Sequence, residues 1–185
     1  MAPAPPLMTV HDYFSTPVTV KPMELARGAL RVRDAPSPRH QSAVACLFRA
    51  LDAHVRQYAV GEMWLAPLDV VLSGQDAVVV QPDLLFISNE AAWIVQDRVR
   101  GAPDLVIEVL SPDPRIGSTE ERIGWFAQYG VRECWLVHLD RRDLAAITFV
   151  DRTIHGTRVF TSRESIASAV LPAFDLSLAQ ILNEA

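Results

Sequence analysis

Lysine is nearly absent from this 185-residue chain. Lys21 is the only one, and arginine supplies the rest of 17 basic residues against 22 acidic ones. A formal net charge of −5 excludes a protein that coats nucleic acid through a broad basic surface, while leaving room for a local basic groove. Cysteine is scarce as well. Cys46 and Cys134 lie in separate apolar segments without CxxC or Cys/His spacing. That weighs against a zinc module or a disulfide framework and predicts two reduced core thiols in a cytoplasmic protein. No apolar run approaches the ~20 residues of a membrane helix. The opening MAPAPPLMTV has neither the basic n-region nor the continuous apolar h-region of a signal peptide. There is no internal repeat, no nucleophile elbow and no paired Ser/His spacing, so a hydrolase built on His40 or His138 finds little support.

Half of the residues are hydrophobic, enough for one globular domain over 1–185, with residues 1–8 as a flexible tail. Thr9 and Asp12 have capping-box spacing, which predicts a short helix over TVHDYFS. KPMELARGALRV reads as a hairpin turning at Arg27-Gly28, with Glu24 facing away from Met23 and Leu25. Ser37 followed by Pro38 starts a long helix over 39–58, where Val44, Leu47, Phe48, Leu51 and Val55 recur at helical spacing. Strands are expected over 62–72 and 77–87, then from Pro103 to the break at Ser111-Pro112. Ser118 caps a second helix over 119–129 that stops at Gly130, with Ile123, Phe126 and Ala127 facing inward. A strand over 131–139, a hairpin over 144–161 and a short helix over 178–182 complete the chain. The class is α/β (α+β): a mixed β-sheet of about seven or more strands flanked by two main helices. It is not doubly wound, because the middle strands follow each other too directly.

The stretch 81–112, QPDLLFISNEAAWIVQDRVRGAPDLVIEVLSP, carries the chemistry. Its two apolar runs each hold acids inside what reads as buried strand, where an unpaired charge costs several kcal/mol. The two-residue strand period puts Gln81, Asp83 and Leu85 on one face, and Asp104, Val106, Glu108 and Leu110 on one face of the next run. In neighbouring strands, Asp83 and Glu108 converge and offer hard oxygen ligands for Mg2+ or Mn2+. The alternative is that each acid pairs with an arginine. Asp104 lies about 13 Å from Glu108 at ~3.3 Å per strand residue, too far to share an ion with it. It is expected to orient the start of the strand or to pair with an arginine.

MTVHDYF, MELARGAL, SPRHQ, QPDLLFIS, GAPDLVIEVLSP and YGVRECWLV together resemble, in order and over nearly the whole chain, the Uma-two family of the PD-(D/E)XK nuclease superfamily. The resemblance implies a restriction-endonuclease-like core, metal-dependent phosphodiesterase ancestry and homodimers. By position it puts Asp83 at the PD aspartate, Glu108 at the (D/E) and Glu24 at the acid of the early hairpin. Leu110 stands where the superfamily lysine would be. In this family that lysine looks to have moved to the following helix, where this chain has Arg122.

The expectation is therefore a Mg2+- or Mn2+-dependent nuclease acting on nucleic acid, with DNA carried as a partner and turnover impaired by the missing lysine. Asp83 and Glu108 would hold the metal, and Asp83, Glu108, Arg122 and Glu24 would form the catalytic centre. Arg115 and Arg122 would contact phosphate, with Asp104, Lys21 and His40 as supporting residues and Arg39 as a further phosphate contact. The alternative is a catalytically silent, nuclease-like homodimeric binding or assembly module. The acidic net charge and the missing lysine favour it.

Overall fold

The computed structural model describes residues 6–17, 22–32, 35–110 and 118–183. Lys21 and Arg115 lie outside them.

Local signals set most of the elements. The Thr9–Asp12 capping box starts α1 (Val10–Ser15). The hairpin β1 (Met23–Ala26) and β2 (Ala29–Val32) turns through Arg27 and Gly28, both at positive φ. Ser37 accepts from the His40 N–H to cap α2 (Pro38–Tyr58), whose buried face is Ala43, Val44, Leu47, Leu51 and Val55. Ser118 likewise caps α3 (Thr119–Tyr129), which ends at Gly130 in the left-handed region.

The strands differ from the sequence expectation in one consequential way. The run over 62–72 is two strands, β3 (Gly61–Leu65) and β4 (Val70–Ser73), and the run over 77–87 is β5 (Val78–Val80) and β6 (Leu84–Ser88). Pro67 and Pro82 fall in the two gaps and have no N–H to continue a ladder. At each gap the chain passes from one sheet to another. With β7 (Val99–Arg100), β8 (Leu105–Leu110), β9 (Glu133–His138), β10 (Asp143–Val150) and β11 (Thr153–Thr161), the strands form two mixed sheets. One has five strands in the order β2-β1-β5-β4-β7; the other has six in the order β11-β10-β9-β8-β6-β3. A short helix, α4 (Leu178–Leu182), follows.

The six-stranded sheet is covered on both faces. Leu84, Phe86, Leu105, Ile107 and Val109 pack with the buried face of α2. Leu85, Ile87, Val106, Cys134 and Leu136 pack with Trp125 and Phe126 of α3 and with Val70, Val78 and Val80 of the five-stranded sheet. Trp125, rather than Ile123, completes the buried stripe of α3. The strand period places Glu108 on this second face, beside Val106. β8 and β9 run parallel with α3 as their crossover. Among the described residues, no helix is long and apolar enough to cross a membrane.

Candidate acidic centre

Four charged side chains are buried between the sheets and helices: Glu24 is 1 % exposed, Glu108 5 %, Asp83 6 % and Arg122 7 %, and three of them, Glu24, Arg122 and Glu108, are in direct contact. Three elements and one sheet-to-sheet bend supply them. Glu24 points inward because its neighbours on β1 alternate: Leu25 packs in a separate cluster with Tyr13, while Ala26 faces the core shared with α3. Glu108 sits in the middle of β8. Asp83 ends the Gln81-Pro82-Asp83 bend just before β6. The ladder pairs Leu84 with Ile107, so the next step brings Asp83 and Glu108 to neighbouring positions.

The bend is fastened through side chains. The Gln81 N–H donates to Glu24 Oε1 at 2.8 Å, and the Val109 N–H donates to Asp83 Oδ2 at 2.8 Å. His40 Nε2 lies 3.1 Å from the same Asp83 oxygen, which ties the first turn of α2 to the bend. Gln81 Nε2 donates to Asp69 Oδ1 at 2.9 Å, and the Tyr13 hydroxyl shares its one proton between that oxygen at 3.0 Å and the Met23 carbonyl at 2.8 Å.

Arg122 lies between the two glutamates. One of its terminal nitrogens donates to Glu24 Oε2 at 2.5 Å and the other to Glu108 Oε1. Burial works to lower the guanidinium pKa, but Glu108 and then Glu24 outweigh it, so the group is held above its ordinary value. Arg122 is a permanent cation here and a bidentate donor, and cannot serve as a base. Burial, with Glu108 nearby, pushes the neighbouring Cys134 thiol well up, which leaves it an inert core group. Cys46 and Cys134 are both free thiols.

The structure joins Glu24 and Glu108 through Arg122 and pairs Asp83 with His40. It separates Asp104, which lies ahead of β8, accepts from the Ser88 N–H at 2.8 Å and pairs with Arg132 at 2.9 Å. Arg39 is on the surface, 2.5 Å from Asp140. His138 pairs with Asp143 at 2.7 Å. Asp69 and Tyr13 were not among the residues anticipated from sequence. Among the described residues, no three His, Cys, Asp or Glu side chains form a group that could hold a metal ion. Asp83 and Glu108, the two acids expected from sequence to hold one, flank the ladder pair Leu84–Ile107. Two carboxylates suit Mg2+, which keeps several waters and takes its remaining ligands from phosphate.

A family model described as "Uma2: Putative restriction endonuclease" matches residues 12–179. Among solved structures, a "putative nuclease belonging to DUF820 from Anabaena variabilis" superposes with a TM-score of 0.80 at 17% identity. The match covers 96% of this chain and 98% of that one. At that identity the likeness is one of fold. No curated protein matches the chain.

Proposed function

This chain belongs to the Uma2 family, and on that premise we propose that it is a nuclease that hydrolyses phosphodiester bonds of nucleic acid, DNA being the partner to test first. Asp83 and Glu108 would hold one Mg2+ or Mn2+. What supports this reading is two buried carboxylates, Asp83 just ahead of β6 and Glu108 in the neighbouring β8, with Arg122 bridging Glu108 and Glu24. When bound, such an ion supplies a Lewis acid for the phosphoryl oxygen and a water of lowered pKa.

The chain's own residues do the rest. The Val109 N–H and His40 fix the Asp83 carboxylate in one orientation. Glu24 holds Arg122 at the centre. A guanidinium released from its two glutamates would clamp phosphate with two parallel hydrogen bonds, but it cannot accept a proton. Binding would therefore be better served than turnover, and the enzyme would be slow. Calorimetry with Mn2+ tests the site: wild type should bind one ion, and the Asp83→Asn/Glu108→Gln double variant should not. Equal binding by both proteins would sink the assignment.

A second reading is a silent binding or assembly module, and one observation favours it. Glu24 and Glu108 already share a cation, Arg122. Under either reading we propose a homodimer in the cytoplasm. Trp93 is 72 % exposed, an unusual position for a large aromatic on a monomer surface and a common one at an interface, and the two free thiols suit a reducing compartment. Light scattering that gives a monomer mass at micromolar concentration would reject the dimer. Metal-dependent cleavage of a mixed DNA and RNA panel separates the enzyme from the silent module.

A further inference from the structure

We infer that Arg122 occupies the cation position of the acidic centre, so that a divalent ion and the guanidinium compete for Glu108. The inference rests on the metal reading above and adds a built-in restraint to it.

Arg122 spends one terminal nitrogen on Glu24, at 2.5 Å, and the other on Glu108. Arg122 therefore already engages the carboxylate that the metal reading assigns to the ion. A second cation on the same carboxylate would sit within a few ångströms of the guanidinium, in surroundings that screen poorly.

The arginine is also held from behind. Its guanidinium lies 5.7 Å from the ring centroid of Phe126, one turn along α3. Phe126 is fully buried and packs with Trp125 against both sheets. Ser118 and Gly130 fix the two ends of the helix. Relocating the guanidinium therefore means disturbing a packed helix or giving up two buried charge-assisted hydrogen bonds.

An ion that takes Glu108 must displace Arg122 from it, and reciprocally Arg122 lowers the affinity for the ion. Without the guanidinium, two buried glutamates would both lose the cation they now pair with, and a divalent ion would restore that charge. Arg122 therefore acts as an internal counter-ion that keeps the centre folded without metal and makes metal binding weak.

The test is Mn2+ titration by calorimetry, with thermal unfolding in Mn2+ and in EDTA. The proteins are wild type, Arg122→Met, Glu24→Gln/Arg122→Met and Asp83→Asn. The paired substitution removes one acid with the arginine and covers the case in which Arg122→Met alone fails to fold. Loss of the guanidinium should tighten Mn2+ binding roughly ten-fold or more, within the usual range of coupling between sites. The unfolding midpoint of the Arg122 variants should rise in Mn2+ over EDTA by more than that of wild type, and Asp83→Asn should lose binding. If the Arg122 variants bind Mn2+ with wild-type affinity, the competition is overturned while the metal site stands. If no protein in the set binds Mn2+, wild type included, the metal site itself fails and the competition falls with it.

Discussion

Gln81 donates its backbone N–H to Glu24 Oε1 at 2.8 Å, which fastens the bend between the two sheets to the hairpin near the start of the chain. The other oxygen of the same carboxylate takes Arg122. Glu24 is thus a joint between β1, the bend and α3, besides being a member of the acidic centre. Glu24→Ala leaves a buried guanidinium and a buried N–H short of an acceptor, and should cost about 3–5 kcal/mol. Glu24→Gln keeps an acceptor for one of them and should cost less. Urea unfolding of the two variants beside wild type checks the order. Equal small losses would mean that Glu24 does not join these elements.

Glu133 is a second buried carboxylate, with a different role. It is fully buried at the start of β9. It accepts from Trp135 Nε1 at 2.5 Å, Ser168 Oγ at 3.0 Å, and the N–H groups of Ala169 at 2.6 Å and Val170 at 3.2 Å. Its partners in 168–170 belong to the segment that leads into α4. Glu133→Ala should destabilise the fold by roughly 2–4 kcal/mol, since it strands several buried donors. Backbone amides of 166–171 should lose protection in hydrogen exchange before those of β8. Wild-type protection in that segment would show that Glu133 does not anchor it.

Tyr13 gives the protein an alkaline sensitivity. Burial, and then Asp69 beside it, pushes its phenol well above the ordinary value. Glu24 adds to the shift and Arg98 opposes it. An unfolded tyrosine releases its proton near pH ~10, whereas the folded one holds it longer. The stability gained is therefore complete below about pH 10 and is lost as pH rises toward the folded value, at up to about 1.4 kcal/mol per pH unit from this group. Only one lysine is present to titrate in the same range. Tyr13→Phe, which removes the hydrogen bonds to Met23 and Asp69, should cost about 1 kcal/mol near neutrality and flatten the decline above pH 10. Parallel pH profiles for the two proteins would refute the assignment.

What the sequence made legible is what local chemistry decides. The Thr9, Ser37 and Ser118 caps, the Gly130 stop and the turn at Arg27-Gly28 lie where those residue types demand them. The family motifs single out Asp83, Glu108, Glu24 and Arg122, all of which are buried, and a carboxylate in an apolar strand marks Glu108 without them. The division into two sheets was not legible. An apolar run reads the same whether it stays in one sheet or crosses to another at Pro67 or Pro82, because only the partner strands distinguish the cases. Asp69 and Tyr13 gave no signal, since each lies beside its strand or in a short helix and acts across 56 residues of chain. Glu133 did carry the signal that marks Glu108, an acid against the apolar run CWLV. At the edge of that run an acid reads the same from sequence whether it is solvated or buried.

We propose a nuclease centre whose turnover is limited by its arginine. The most direct test is Mn2+-dependent cleavage of DNA and RNA by wild type, Arg122→Lys, Arg122→Ala and Glu108→Gln, with nucleic-acid binding measured alongside. A lysine can lose its proton near a metal and can stabilise transition-state charge. The account predicts slow cleavage by wild type, a faster rate for Arg122→Lys, weaker nucleic-acid binding for Arg122→Ala and no cleavage by Glu108→Gln. Arg122 variants that match wild type in both rate and binding, or Glu108→Gln cleaving as fast as wild type, would contradict it.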